Sequence, residues 1–329
     1  MRVLVGDIGG TKTGLALADV VGDAVTLAQP ARYPSQDFPD LAALVRRYLA
    51  DTDQSRHHAC HHASFAVAGP VVQGRSKTTN LPWRLDAAAL AQALGFRRVH
   101  LLNDLEAVAW GVAALAAEDL ATLQAGEPDS VGNACVVAAG TGLGEAGLYW
   151  DGTRHHAFAT EGGHTDFAPA DARELALFEH LKQRYGRVSW ERLVSGMGIG
   201  NIYQFLAAWH QAEHPPAVAE AMANNGDLPA AVALCAAEGI HPCTEAMDLF
   251  ALLYGREAGN TALKLMALGG VYLGGGIAPK NLALLQAGDF LAGFLDKGRM
   301  HGLMERMPVR VIMNQQAPLL GAARFAARE

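Results

Sequence analysis

Hydrophobic and polar positions alternate along the first part of the chain in short runs separated by glycine. Residues 1–7 form a short apolar run, residues 15–19 alternate with a period of two, and residues 25–33 form a third extended stretch, which together predict three consecutive β-strands. From Phe38 the period changes, and Leu41, Leu44, Val45 and Tyr48 fall on one helical face with it. The pattern predicts a β-meander covered by a helix that begins near Phe38.

The next elements follow from apolar runs and from residues that begin or end helices. A strand over residues 63–68 is expected to end at Gly69-Pro70. Asp86 is expected to cap a helix that stops at Gly95. A further strand over residues 98–102 leads into Asn103-Asp104.

The same arrangement recurs in the second half of the chain. Residues 134–139, 146–150 and 155–160 read as strands, with a glycine turn after the first and an Asp151-Gly152 hairpin turn after the second. The sequence becomes helical from Ala170 and contains one more apolar strand over residues 270–273. The repetition predicts two related α/β lobes with a cleft between them.

Composition narrows the class of protein. The chain has 329 residues, of which 50% are hydrophobic and 18% are charged, as in an α/β enzyme. Its net charge of −7 argues against a nucleic-acid or anionic-membrane partner. Four scattered cysteines, no signal peptide and no apolar stretch long enough to span a membrane predict a soluble protein of the cytoplasm.

Two glycine turns are candidate phosphate sites. Residues 6–13 nearly match a P-loop, but Thr11 replaces the second glycine and a strand follows where a helix is needed. We expect the turn to offer backbone N–H groups to phosphate oxygens, with glycine required for positive φ and close approach. Asp7 would hold Mg²⁺ through water. The alternative is that this turn and the one at 140–144 are ordinary tight hairpins.

A series of motifs spans nearly the whole chain, and the chain resembles the bacterial glucokinase family in all of them. The motifs are Gly6-Asp7-Ile8-Gly9-Gly10-Thr11, Thr79-Asn80 with Trp83, Asn103-Asp104, Gly140-Thr141-Gly142-Leu143-Gly144, the run from Glu161 to Pro169, Glu191-Arg192-Leu193-Val194-Ser195-Gly196, Gly274-Gly275-Gly276-Ile277 and Pro318-Leu319-Leu320-Gly321. The two phosphate turns are also similar to those of the actin, Hsp70 and hexokinase superfamily.

The resemblance implies a fold and a domain division. Each lobe is expected to be an actin-like, ribonuclease-H-like βββαβα unit, with sugar and ATP in the cleft. The small lobe would comprise residues 1–110 with a C-terminal helix over 316–329, and the large lobe residues 111–315. It also implies a homodimer.

The resemblance assigns the sugar site. Asp104 is implied to be the general base and Asn103 a donor to a sugar hydroxyl, while Glu161, His164 and Glu191 would bind further hydroxyls. Asn80 and Trp83 would shape the same site.

Taken alone, these residues allow other interpretations. Asp104 could cap a helix, Glu191 could lie on a solvated face, and Glu161, His164 and Asp166 could bind a metal. A histidine cluster at residues 57–62 reads as a solvated connector more readily than as a metal site.

The contacts implied for ATP come from three glycine-rich turns. They are Gly6, Asp7, Gly9, Gly10, Thr11, Gly140, Thr141, Gly142, Gly274, Gly275 and Gly276. The expected function is that of an ATP- and Mg²⁺-dependent glucokinase. Three rivals are a kinase of mannose or N-acetylglucosamine, a non-catalytic sugar-sensing protein, and an actin- or chaperone-like ATPase. Lys12 and Thr13 differ from the residues usual in the family, which leaves room for another phosphoryl donor.

Overall fold

The computed structural model describes residues 1–22, 24–52, 60–78 and 81–328. The chain folds as two compact units. The first consists of Met1–Leu120, His156–Ala159 and Asn314–Glu329, and the second of Ala121–His155 and Thr160–Met313. The division into lobes at residues 110 and 315 stays a prediction.

The elements of the first unit are β1 (Arg2–Ile8), β2 (Lys12–Val21), β3 (Ala24–Pro34), α1 (Leu41–Asp51), β4 (His62–Val67), β5 (Arg75–Lys77), β6 (Arg84–Asp86), α2 (Ala87–Leu94), β7 (Arg98–Asn103), α3 (Asp104–Val112) and the C-terminal α13 (Ala317–Ala326). The remaining elements are β8 (Leu120–Gln124), β9 (Ala134–Ala139), β10 (Leu143–Trp150), β11 (His155–Thr160), α4 (Ala172–Tyr185), α5 (Gly196–His210), α6 (Pro216–Ala223), α7 (Leu228–Ala237), α8 (Cys243–Leu265), β12 (Gly270–Gly274), α9 (Ile277–Lys280), α10 (Leu282–Gln286), α11 (Asp289–Leu295), α12 (His301–Met304) and β13 (Val309–Ile312).

The first sheet has the strand order β3-β2-β1-β4-β7. β1 is antiparallel to β2 and parallel to β4, which in turn is parallel to β7. The predicted meander is therefore confirmed, and the parallel strands β1, β4 and β7 end at one edge of the sheet. Functional groups of open α/β sheets usually lie at this edge.

The first helix begins three residues later than the periodicity predicts. Asp40 caps α1 by accepting a hydrogen bond from the Ala43 N–H at 2.7 Å, so the helix starts at Leu41. Phe38 lies before the cap and packs edge-on against Tyr33, with ring centroids 5.9 Å apart. Phe38 is apolar because it packs against Tyr33, and not because it belongs to the helix.

The second sheet has the strand order β11-β10-β9-β12-β13-β8. Its first five positions repeat the first sheet: an antiparallel meander, then β12 parallel to β9 and to β13. The duplicated α/β fold is confirmed. Gly140 follows the end of β9 and Gly274 ends β12, which places both at the edge equivalent to that of the first sheet.

Alternate residues of β1 pack on opposite faces of the first sheet. Leu4 contributes to the core that includes α1, whereas Val3 and Val5 contribute to the core that includes α13. α13 also crosses α3 at very short range. A Cβ at Gly111 or at Gly321 would overlap a backbone carbonyl of the other helix, so both positions need glycine. The crossing fixes α3, the helix that begins with Asp104.

None of the helices in the described part of the chain combines the length and apolar character needed to cross a membrane.

Candidate active site

The turn between β1 and β2 is held from one side by a single serine. The Ser35 hydroxyl donates to the Gly9 carbonyl at 2.7 Å, and the Ser35 N–H donates to the Thr11 carbonyl at 3.0 Å. Among the described residues, the N–H groups of Gly10 and Thr11 have no hydrogen-bond partner. The turn can therefore donate two backbone hydrogen bonds to an anion such as a phosphate. Ser35 was not predicted, because nothing in its local sequence marks it.

The turn between β9 and β10 has a similar construction. The Gly140 N–H donates to the Gly142 carbonyl at 2.9 Å, and the Gly140 carbonyl accepts from the Gly196 N–H at 2.8 Å. Within the described residues, the N–H groups of Thr141 and Gly142 have no partner. Ser195 precedes Gly196 and caps α5, because its hydroxyl oxygen accepts from the Gly198 N–H at 3.0 Å. Each turn thus has two N–H groups that are unpaired among the described residues.

Of the two reasons expected for glycine in these turns, positive φ and close approach, only close approach applies. Gly9, Gly140 and Gly142 do not adopt positive φ, so that part of the prediction is wrong. Close approach does apply: a Cβ at Gly9 would lie 2.8 Å from the Lys12 carbonyl oxygen, and one at Gly142 would overlap the Glu191 carboxylate. Glycine is needed for space.

Asp7 lies near the end of β1, beside the first turn. Its side chain is half-buried, and burial raises the pKa of the carboxyl to about 6, while the charge of Arg32 lowers it. Among the described residues no hydrogen-bond donor contacts the carboxylate. A half-buried carboxylate without a donor suits a hydrated Mg²⁺ ion, because Mg²⁺ prefers one or two carboxylates and keeps several waters. Asp7 therefore fits the predicted metal role.

Asn103, not Asp104, caps α3. The Asn103 Oδ1 atom accepts from the N–H groups of Leu105 at 2.9 Å and Glu106 at 3.2 Å, while Nδ2 donates to the Gly69 carbonyl at 3.2 Å. Asp104 is the first helical residue and bonds locally to the Leu105 N–H at 3.0 Å. The interpretation of Asp104 as the helix cap is therefore wrong. Asn103 orients the helix start so that Asp104 lies partly exposed at the edge where β7 ends.

In the second unit, His164 and Glu191 lie next to each other. Nδ1 of His164 is 4.0 Å from Oε1 of Glu191, and the other oxygen, Oε2, accepts the Leu143 N–H at 3.0 Å. Glu191 thus lies directly on the Gly140–Gly142 turn, and the interpretation of a solvated surface glutamate is wrong. Glu161 is exposed three residues before His164. A carboxylate beside an imidazole can accept from and donate to neighbouring hydroxyl groups.

The alternative metal site at Glu161, His164 and Asp166 is not supported. Asp166 forms an ion pair with Arg187 at 2.7 Å. In the part of the chain that the structure describes, the three side chains do not converge as metal ligands.

Behind the turn that precedes His164 lies a pair of buried carboxyl groups. Glu145 in β10 is 4% exposed, and Glu257 in α8 is fully buried. Thr261 donates to Glu145 at 3.0 Å and Asn260 to Glu257 at 2.9 Å. Burial raises the pKa of both, and the charge of Glu145 helps to raise that of Glu257 to about 8. Among the described residues, the Oε1 atom of each glutamate has no hydrogen-bond partner. A proton shared by the two carboxyl groups would supply the missing hydrogen bond.

The double glycine Gly162-Gly163, which lies between Glu161 and His164, packs directly against β10. A Cβ at Gly162 would overlap the Glu145 carboxylate, and one at Gly163 would overlap the Leu143 carbonyl. Thr160 adds a link, because its hydroxyl donates to the Glu145 carbonyl at 3.0 Å. The pair of glycines therefore allows the loop to lie on β10.

The glycines after β12 have different environments. Gly275 has φ near +78° and packs where a Cβ would overlap the Ala139 carbonyl, so only glycine fits. At Gly276 a Cβ would meet open space within 4 Å. A flat ligand group can approach the backbone there, as expected for an adenosine.

The remaining predicted residues are less informative. Asn80 lies outside the described residues, as do His57 and His58. Gly6 lies inside β1, where a Cβ would meet Leu15 and Phe65 at 2.7 Å. Trp83 is 2% exposed and donates to the Phe38 carbonyl at 3.3 Å, so it belongs to the core.

Comparison with known proteins places these features in a family context. A family model described as Glucokinase matches residues 4–329. A glucokinase of Synechocystis sp. is 42% identical over 349 residues, covering 100% of this chain and 98% of the relative. The crystal structure of a glucokinase from an Antarctic psychrotroph is 30% identical, with a TM-score of 0.86 over 100% of this chain and 99% of that chain. A ROK family glucokinase from Streptomyces griseus, in complex with glucose and AMPPNP, shares the fold at 18% identity, with a TM-score of 0.66 over 100% of both chains.

Proposed function

The chain belongs to the glucokinase family, and we propose the role of each site residue in ATP-dependent glucose phosphorylation. The observation that carries the proposal is the pair of equivalent turns, each with two backbone N–H groups that no described residue accepts from. Gly9–Thr11 and Gly140–Gly142 donate these groups to the phosphates of ATP. Because the donors are fixed before binding, they need no rearrangement as charge develops on the transferred group.

Asp7 would hold the Mg²⁺ ion through water, and the ion would neutralise negative charge on the phosphates. The carboxylate itself contributes an anchor that is half-buried and accepts no other hydrogen bond from the described residues. Gly6 precedes Asp7 in β1, where a Cβ would meet Leu15 and Phe65 at 2.7 Å. Gly274, Gly275 and Gly276 let the adenosine lie against the backbone.

Asp104 acts as the general base. It accepts the proton of the glucose 6-hydroxyl while the hydroxyl oxygen attacks the γ-phosphorus, and ADP leaves with the electrons of the broken P–O bond. Asn103 fixes the start of α3, and the second hydrogen of its amide is available to a sugar hydroxyl. The products are glucose 6-phosphate and ADP.

Glu161, His164 and Glu191 hold the other sugar hydroxyls, with Asn80 as a further ligand. Glu191 is the best-fixed of them, since the Leu143 N–H holds one of its oxygens and leaves the other beside His164. A sugar with an inverted hydroxyl leaves one of these polar groups unpaired. Such a mismatch costs about 1–3 kcal/mol, which gives discrimination against epimers of about 5- to 150-fold.

A coupled assay of ADP release tests the function across glucose, mannose, fructose, N-acetylglucosamine and no sugar. We expect strong activity with glucose. Activity with another hexose alone would keep the mechanism and overturn the substrate, and ATP hydrolysis without sugar would favour an ATPase.

Asp104→Asn tests the base. The variant is expected to bind glucose as the wild type does but to lose about 10²- to 10⁴-fold in kcat, because the amide accepts no proton. Tryptophan fluorescence titration with glucose measures binding, and the coupled assay measures turnover. Near-normal kcat would overturn the assignment of Asp104.

We further propose a homodimer located in the cytoplasm. The four cysteines are buried and free, which suits a reducing compartment. The dimer rests on likeness to the family, and light scattering on the purified protein tests it.

A further inference from the structure

We propose that His210, His241 and Glu245 form a binding site for a transition-metal ion of the Zn²⁺ type. His210 is the last residue of α5, His241 lies just before α8, and Glu245 is in the first turn of α8. In the described part of the chain, this is the one group of three or more histidine, cysteine and acidic residues whose ligand atoms all lie within 4.8 Å of one another.

Both imidazoles are directed at the same carboxylate oxygen. Oε2 of Glu245 lies 2.7 Å from Nε2 of His210 and 3.1 Å from Nε2 of His241. In a tetrahedral zinc site with bonds of about 2.0–2.1 Å, neighbouring ligand atoms are about 3.3 Å apart. Small rotations of the three side chains therefore admit an ion among atoms that already converge.

The ligand chemistry selects the class of ion. Two imidazole nitrogens and one carboxylate oxygen suit Zn²⁺, Ni²⁺ or Co²⁺, whereas Mg²⁺ and Ca²⁺ prefer oxygen alone. The side chain of His241 is 55% exposed, so solvent reaches the site. Water can supply the fourth ligand of a tetrahedral ion.

Arg173 contacts the oxygen of Glu245 that the two histidines leave free. Its Nη1 atom lies 3.3 Å from Oε1 of Glu245, and this contact leaves Oε2 to the two imidazoles. Ligating carboxylates are commonly oriented by such an outer hydrogen bond. However, the arginine also places a positive charge near the ion, so the affinity of the site for the ion is lower than it would be without Arg173.

The bound ion would brace two helices of the second unit. It would join the C-terminal end of α5 to the N-terminal end of α8, across the segment that contains α6 and α7. α5 begins at Gly196, whose N–H bonds to the Gly140 carbonyl. The brace would therefore stabilise the helix that supports the second glycine turn, without a part in phosphoryl transfer.

A network of hydrogen bonds alone is the competing explanation, since two neutral imidazoles can each donate to Glu245. Glu245→Gln separates the two. The amide oxygen of glutamine still accepts from both imidazoles, but an amide is a much poorer ligand for Zn²⁺ than a carboxylate. The variant therefore keeps the hydrogen bonds and weakens the metal site.

The experiment measures Zn²⁺ binding to the full chain without an affinity tag. Chelator-treated protein is titrated with Zn²⁺ in competition with a chromophoric chelator, and with Co²⁺ for its visible spectrum. The variants are Glu245→Gln and His241→Ala. The control is the double variant His57→Ala with His58→Ala, which removes histidines of the other cluster. Glucokinase activity in the absence of Zn²⁺ reports that each variant is folded.

We expect an ion at this site whose dissociation constant rises at least 10-fold in both Glu245→Gln and His241→Ala, and is unchanged in the control. Co²⁺ should show the strong visible absorption of four-coordinate geometry, and Zn²⁺ should raise the Tm of the wild type but not of Glu245→Gln. Absence of binding in the wild type, equal binding in Glu245→Gln, or loss in the control alone would each overturn the proposal.

Discussion

The buried pair Glu145 and Glu257 makes a prediction about stability and pH. We consider Glu257→Gln, which keeps the shape of the side chain and its contact with Asn260, and which removes one ionisable group. The amide can donate to Glu145, whose Oε1 atom has no hydrogen-bond partner within the described residues. The variant therefore imitates the protonated form of Glu257 at every pH.

The sign of the effect follows from the direction of the pKa shift. Burial raises the pKa of Glu257 to about 8, above the ordinary value of 4.5. Between these values the folded chain holds a proton that the unfolded chain has lost, so this group's stabilisation falls as pH rises from about 4.5 to about 8. Glu257→Gln should remove that loss.

The size of the effect is bounded by the same numbers. The difference between the pKa of about 8 in the folded chain and the ordinary value of 4.5 corresponds to about 5 kcal/mol of folding stability, at 1.36 kcal/mol per pH unit. Because the proton belongs to the pair and not to Glu257 alone, we expect roughly half, about 2 kcal/mol above pH 8. For a chain of 329 residues, that is a rise in Tm of about 3 °C.

Thermal unfolding at pH 5 and at pH 9 measures the effect, with exposed Glu238→Gln as the matched control. We expect the Tm of Glu257→Gln to equal that of the wild type near pH 5 and to exceed it at pH 9, while the control differs at neither. An equal Tm difference at both pH values would show that the pair holds no extra proton and would refute the reasoning.

Three further substitutions test the turns. Ser35→Ala should raise the KM for ATP about 5- to 30-fold, because its hydroxyl no longer holds the Gly9 carbonyl; an unchanged KM in steady-state assays would contradict this. Gly142→Ala should raise the KM for glucose about 10- to 100-fold by displacing Glu191; a rise in the KM for ATP alone would point elsewhere. Asp7→Asn should lower kcat yet raise the Tm of the ligand-free protein, since it removes a half-buried charge; a lower Tm by calorimetry would count against that account.

The sequence predicts local structure well where the signal is local. Short apolar runs predicted the first strand of each meander, which is buried on both faces, and alternation predicted strands that bury one face. Asp86 is the cap of α2 and Gly95 its left-handed end, as predicted, since these interactions span only a few residues. The start of α1 was missed because an apolar residue before a cap looks the same as one in the first turn.

Groups that meet across long separations gave no local signal. Ser35 reaches Gly9 across 26 positions, and Glu145 reaches Thr261 across 116. Each of these residues is ordinary in its own segment, and only the sheet order and the packing of α8 bring the partners together. The candidate sugar ligands were predicted through family motifs, not through spacing.

Gly162 and Gly163, between Glu161 and His164, have a packing role that the motif alone does not reveal. Their lack of a side chain lets the loop lie against β10, where Glu145 is buried beneath Gly162. A side chain at Gly162 would collide with a carboxyl group that is itself held by Thr261, so it could not be absorbed by a simple rotation. The buried carboxyl pair therefore constrains Gly162 independently of the sugar site that we propose at Glu161 and His164.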